Sequence, residues 1–391
     1  MPFEFMLSEV ERRERETLRR QHYIVEQEHQ ALINVDGAAY INFASNDYLG
    51  LRQDPRVLQA WVEGLELYGG GSGASPLVTG YSRAHQALSE ALAAATGRAA
   101  TLLFTSGYTA NQALCQALFK DKDGGVLLAD KLSHASLIEA GRCINGEFKR
   151  FRHNDMAHLQ NLLEINAQEL SRTHTLIASE GVFSMDGDSA DVDGLKAMAK
   201  QHNAWLMLDD AHGFGVMGER GEGVAAAATT PEDCQIIMAT LGKALGTGGA
   251  FVAGSQTLID YLTNFSRHYI YSTAMPPAQA HASLKALELM QAGAQRETLQ
   301  QHISYFRGKL EAAGFTLSDS QSAIQPIILG SPEQTMTAAA KLKALGIWVG
   351  AMRYPTVPKG TDRLRITLNS LHQMRDIDAL IDALCIVRDA Q

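Results

Sequence analysis

Cysteine is scarce in this chain: four in 391 residues, Cys115, Cys143, Cys234 and Cys385, with no Cys-x-x-Cys spacing. That scatter excludes a disulfide framework and supplies no zinc ligand set, so reduced thiols and no metal are expected. Long apolar runs are missing too, and no segment has the length of a membrane span. The start, Met1-Pro2-Phe3-Glu4-Phe5-Met6, leads into a charged run from Glu11 to Glu16 without the apolar centre of a signal peptide. A cytoplasmic protein with no membrane partner is expected. Positive charge is in deficit, 34 Lys and Arg against 43 Asp and Glu for a net charge of -9, which argues against a nucleic-acid partner. The glycine-rich run Gly69–Ser75 lacks Gly-Lys-Ser/Thr and a strand-to-helix setting, so neither a phosphate loop nor a dinucleotide fingerprint is present. No internal repeat or low-complexity linker interrupts the chain. What remains, 46% hydrophobic and 20% charged residues, is ordinary for a globular metabolic enzyme with room for two domains.

The pattern along the chain begins with a charged helix over about 7–22 and a short strand at 40–43. From there to about 285, helices alternate with apolar runs at 101–104, 126–129, 175–178 and 249–252, which indicates an α/β domain with a mainly parallel sheet. From about 286, long helical stretches are separated by strand-like segments at 323–329 and 363–367, which suits a smaller α+β domain.

Chemistry concentrates around Lys243, in Ala239-Thr240-Leu241-Gly242-Lys243-Ala244-Leu245-Gly246, downstream of Leu206-Met207-Leu208-Asp209-Asp210-Ala211-His212. A lone lysine is ordinarily a solvated surface residue. Here a continuously apolar strand delivers a carboxylate and an imidazole ahead of it, and small neighbours leave room for a bulky ligand. A lysine amine whose ammonium form is disfavoured attacks an aldehyde to form a Schiff base, and pyridoxal 5'-phosphate (PLP) is the usual partner. PLP needs a carboxylate against its pyridine nitrogen, for which Asp209 is the candidate. Successive strand side chains point to opposite faces, so Asp209 and Asp210 do not both face the ligand, and the sequence does not say which does. Ser106-Gly107-Tyr108 follows a strand and opens a helix, where backbone N–H groups can hold a phosphate.

These segments, with Ser133-His134-Ala135-Ser136, Phe43-Ala44-Ser45-Asn46-Asp47-Tyr48-Leu49-Gly50, Glu180-Gly181-Val182-Phe183-Ser184-Met185-Asp186-Gly187-Asp188 and Tyr271-Ser272-Thr273-Ala274-Met275-Pro276-Pro277, resemble the PLP-dependent α-oxoamine synthases over nearly the whole chain. The resemblance implies a fold type I PLP-dependent transferase: residues 1–45 joining the small domain, 46–285 as the large PLP-binding domain, and 286–391 as the C-terminal small domain. It implies Lys243, His134 and Asp209 as catalytic. The cofactor would be held by Gly107, Tyr108, His134 stacked on the ring, Ser184 and His212 near the phenolic oxygen, Asp209, Thr240 at the phosphate, and Ser272 or Thr273 reaching the phosphate of a neighbouring subunit. A homodimer follows.

For substrates, the resemblance implies the branch that condenses L-alanine with a pimeloyl thioester, losing carbon dioxide, in biotin synthesis. The thioester is carried on acyl carrier protein or on coenzyme A, which the sequence leaves open. Arg365 matches the amino-acid carboxylate position, and Arg19, Asn46, His134 and Thr356 match further substrate-binding positions. Arg19 sits in a charge run that otherwise reads as a solvated helix face. Tyr354 replaces a proline common in the family and affects the expected shape of the acyl pocket. Members that use glycine or serine with other acyl groups, such as the glycine C-acetyltransferases, remain alternatives, as does a catalytically silent PLP-binding protein.

Overall fold

A computed structural model describes residues 3–121, 125–169 and 174–389. The chain forms two compact units, a larger one of Asp47–Ser184 and Asp188–Glu297 and a smaller one of Met1–Asn46, Met185–Gly187 and Thr298–Gln391. The strands in chain order are β1 (Val25–His29), β2 (Leu32–Val35), β3 (Ala38–Phe43), β4 (Ala100–Phe104), β5 (Val126–Asp130), β6 (Glu147–Phe151), β7 (Thr175–Glu180), β8 (Trp205–Asp209), β9 (Ile236–Thr240), β10 (Ala250–Gly254), β11 (Ile324–Ile328), β12 (Ile347–Met352) and β13 (Arg363–Thr367).

The larger unit is built on a seven-stranded sheet in the order β4-β10-β9-β8-β7-β5-β6. All strands run the same way except β10, which is antiparallel to both neighbours. Its centre is dry: every residue of β5 is buried, as are Leu206, Met207 and Leu208 of β8, which is why these strands read as unbroken apolar runs. An open parallel sheet gathers its ligand-binding loops at the carboxyl ends of its strands, and the candidate residues emerge there.

The smaller unit carries a six-stranded sheet, β1-β2-β3-β12-β13-β11, in which only the β3–β12 pair is parallel. The helices Pro332–Ala344 and Met374–Asp389 complete an α+β unit.

Three features differ from the sequence reading. The N-terminal helix spans only Phe5–Arg15, not 7–22; it has no buried residue to hold a longer helix, and Thr17 turns the chain at φ 58°. The division expected at 285 falls inside the helix Pro277–Ala292, which is continuous because it packs closely on the helix Pro55–Tyr68: a Cβ on Gly64 would lie 2.7 Å from Ala278 Cα. The strands β1 and β6, written Val-Glu-Gln-Glu-His and Glu-Phe-Lys-Arg-Phe, occupy sheet edges and carry charges that hide them from an apolar-run search. Among the described residues no helix is long and apolar enough to cross a membrane.

Candidate active site

Lys243 sits in the connection from β9 to the antiparallel β10. That loop is closed by Leu241 N–H donating to Gly249 O (2.9 Å), Gly246 N–H to Lys243 O (2.9 Å) and Thr247 N–H to Leu241 O (3.0 Å). Two glycines make it possible. Gly246 has φ 67° and a Cβ there would lie 2.3 Å from Arg52 N; Gly249 has φ 90° and a Cβ would meet Phe104 O at 2.9 Å. The half-buried Lys243 therefore has its backbone fixed at the carboxyl end of the sheet, with Nζ 2.9 Å from His212 Nε2. The other nitrogen of that imidazole, Nδ1, is 2.6 Å from the hydroxyl of the fully buried Tyr48.

Asp209 closes β8. Its Oδ2 accepts from Asn111 Nδ2 (3.0 Å) and its Oδ1 from Ala211 N–H (3.1 Å), and the same Asn111 amide donates to Ser136 Oγ (3.0 Å). Asp210 points the other way, as the pleat requires. It is fully buried in a cradle where a Cβ on Gly181, Gly213 or Gly223 would come within 2.0–2.2 Å of a carboxyl oxygen, and it accepts from Ala225 N–H (2.9 Å). Burial pushes its pKa up to about 7. The structure thus separates the two neighbouring carboxyls that the sequence left equivalent.

His134 caps the helix Ala135–Arg142; its Nδ1 lies 2.8 Å from Ser136 Oγ and accepts from Ser136 N–H (3.2 Å). Partial desolvation lowers its pKa, with Lys243 acting in the same sense and Asp209 opposing. Its backbone N–H donates to Glu180 Oε1, and the Ser184 N–H donates to the same carboxyl group. Glu180 closes β7 directly opposite Asp209 on β8. Burial, and then the neighbouring Asp209, drives its pKa well above the usual carboxylate range. One buried acid therefore fixes the backbone positions of both His134 and Ser184.

The fourth corner is the helix Gly107–Leu118. Ser106 caps it by accepting from Thr109 N–H (3.1 Å), while the first-turn N–H groups of Gly107 and Tyr108 have no acceptor within the helix. Thr240 packs against this end, where a Cβ on Gly107 would be 2.8 Å from Thr240 Cγ2.

The larger unit thus assembles Lys243, Asp209, His134, His212, Ser184, Thr240, Gly107 and Tyr108 around one sheet end. Thr273 is exposed and lines a small cavity with Tyr81, His85 and Tyr269. The smaller unit holds the other candidates. Arg365 is buried, and its Nη1 donates to Asn46 Oδ1 (3.1 Å) and Thr367 Oγ1 (3.0 Å). Arg19 is exposed and ion-paired with Glu14 (2.8 Å); it is the adjacent Arg20 whose Nη2 donates to Thr356 Oγ1 (3.1 Å). Sequence reasoning also did not single out Asn111, Ser136, Glu180 and Tyr48. A signal existed for Asn111 alone, which lies one helical turn after Gly107 and so shares its face.

The chain matches the class I and II aminotransferase family over residues 38–384. It is 49% identical to the 8-amino-7-oxononanoate synthase of Saccharophagus degradans, covering 89% of this chain and 86% of the relative, and 49% identical to that of Aeromonas hydrophila, covering 90% and 87%. Among solved structures, it superimposes with a TM-score of 0.92 and 27% identity on the serine palmitoyltransferase of S. paucimobilis with a bound PLP–myriocin aldimine, covering 99% of this chain and 98% of that one. An 8-amino-7-oxononanoate synthase from Francisella tularensis gives a TM-score of 0.77 at 29% identity, covering 90% and 98%.

Proposed function

This chain belongs to the class I and II aminotransferase family, and from that premise we propose that it condenses L-alanine with a pimeloyl thioester, with release of the thiol carrier and loss of carbon dioxide, to give 8-amino-7-oxononanoate for biotin synthesis. PLP is the cofactor. The observation that carries this reading is the meeting, at one sheet end, of a lysine beside an imidazole, a buried carboxylate held by Asn111, and a capped helix N-terminus approached closely by Thr240.

These residues fit the cofactor's chemistry. The N–H groups of Gly107 and Tyr108 and the Thr240 hydroxyl match a phosphate. Asp209, with its oxygens fixed by Asn111 and Ala211, matches a protonated pyridine nitrogen. Lys243 matches the aldehyde, and His212 and Ser184 match the phenolic oxygen. PLP supplies the electron sink that makes the proton on the Cα of alanine removable.

The chain's residues do the rest. The Lys243 amine takes the Cα proton of alanine and returns a proton after carbon dioxide has left. His134, held by Glu180 through its backbone and by Ser136 through its ring, would lie against the cofactor and would donate a hydrogen bond to the acyl carbonyl of the substrate. Arg365, oriented by Asn46 and Thr367, binds the alanine carboxylate as a guanidinium fork. Arg19 and Thr356 serve the acyl substrate, carried on acyl carrier protein or coenzyme A. The enzyme works as a cytoplasmic homodimer in which Thr273 reaches the partner's phosphate.

The test is product analysis by mass spectrometry with alanine, glycine and serine, each against pimeloyl and acetyl thioesters. Decarboxylated amino-ketone from alanine and the pimeloyl donor alone is expected. Preferential turnover of glycine with the acetyl donor would refute the substrate assignment while leaving the lysine chemistry intact.

A further inference from the structure

Lys243, His212 and Tyr48 form a hydrogen-bonded chain in which Nζ lies 2.9 Å from Nε2 and Nδ1 lies 2.6 Å from the tyrosine hydroxyl. Tyr48 is 1% exposed and His212 6%, so both ring positions are set by packing and the hydroxyl is delivered to Nδ1 by the fold. A neutral imidazole carries one proton, and the partner of one nitrogen decides which nitrogen carries it. A phenol is a strong donor and a weak acceptor. At 2.6 Å, its O–H directed at Nδ1 leaves the imidazole proton on Nε2, aimed at Lys243 Nζ. An Nε2–H can be accepted only by a nitrogen with a free lone pair, which an ammonium does not have and an amine does.

We propose that Tyr48 is a positioning residue that fixes the Nε2–H tautomer of His212 and thereby holds Lys243 as the amine that captures the cofactor aldehyde. This rests on the reading that Lys243 is the PLP-binding lysine. The anchoring of the loop that carries Tyr48 supports the role. Asp47, 7% exposed, receives backbone N–H groups of Gly50, Leu51 and Arg52, and Arg52 in turn lies against Gly246, three residues beyond Lys243. Tyr48 and Lys243 are therefore held by two loops in mutual contact. The proton inventory is conserved throughout: phenol O–H to Nδ1, Nε2–H to Nζ, with no net transfer until the amine attacks.

The experiment is nitrogen-15 NMR of histidine-labelled full-length protein, with and without PLP, with the His212 signals identified by their loss in His212→Asn. An Nε2-protonated, Nδ1-accepting His212 is expected in the wild type; a neutral ring protonated at Nδ1 overturns the proposal. In Tyr48→Phe, a shift toward the Nδ1–H tautomer is expected, with PLP capture, followed by stopped-flow absorbance, slowed about tenfold, the scale of one buried hydrogen bond. Loss of thermal stability alone, with tautomer and capture rate unchanged, also overturns it. The tautomer is read without PLP, so it stands apart from the functional reading, which fails instead if the wild type forms no covalent adduct at Lys243.

Discussion

Glu180→Ala removes the acceptor that fixes both His134 and Ser184. The side chain is 2% exposed and its carboxyl receives two backbone N–H groups. Leaving a buried donor unpaired costs about 1–3 kcal/mol, and emptying the space of the side chain adds to it, so roughly 3–6 kcal/mol is expected. At about 2–4 °C per kcal/mol for a unit of this size, the melting midpoint should fall by roughly 6–24 °C. Glu180→Gln keeps a carbonyl oxygen in the same place and at pH 5 should remain within about 1 kcal/mol of wild type. The two variants separate further with pH. Burial raises the pKa of Glu180 in the folded state, so above about 4.5 the folded protein keeps a proton that the unfolded chain loses. That contribution to stability is full below the unfolded value and declines as pH rises toward the folded one. Glutamine lacks the decline, so Glu180→Gln should gain on wild type between pH 5 and pH 8. Thermal unfolding of the three proteins at both pH values is the assay. Equal damage from glutamine and alanine, or none from alanine, would refute the reasoning.

Asn111→Ala removes the amide that joins Asp209 to Ser136 and should weaken PLP binding by about 10–100-fold, the equivalent of a hydrogen bond to a charged group, as measured by cofactor titration; unchanged affinity would contradict the role. Gly213→Ala places a methyl 2.0 Å from Asp210 Oδ1 and should destabilise by about 1–3 kcal/mol or more in urea unfolding. Because the clash is with that carboxyl, Asp210→Ala combined with Gly213→Ala should cost less than the sum of the two single changes, and strict additivity would argue against the cradle. His153 lies between Asp130 (3.1 Å) and Asp188 (2.8 Å); burial disfavours its charge, but the two carboxylates overcome this and raise its pKa from 6.5 to about 10. Its stabilisation is full below 6.5 and is lost as pH rises toward 10, so His153→Gln should flatten the fall in urea midpoint across that window; parallel curves would contradict the ionic assignment.

The parts of the site legible in the sequence are those in which short chain segments carry both the strand and the chemistry. Asp209 and His212 sit at the end of one dry strand, Thr240 and Lys243 at the next, and Ser106 to Tyr108 where a strand becomes a helix. The supporting contacts span long separations and left no local pattern: Tyr48 meets His212 across 164 residues, and His134 meets Glu180 across 46. The choice between Asp209 and Asp210 needed the glycine cradle, which Gly181 from the connection after β7 and Gly213 and Gly223 from the one after β8 build together. The antiparallel direction of β10 was hidden as well, because an apolar run of five residues reads the same both ways. At the N-terminus, charge patterning extended a helix that has no buried residue to anchor it.

The most direct test of the central claim is borohydride reduction of the PLP-loaded protein followed by peptide mapping. The pyridoxyl group is expected on Lys243, with the visible absorbance band lost on reduction and absent from Lys243→Ala. A pyridoxyl group on another lysine, or an undiminished band and turnover in Lys243→Ala, would contradict the account.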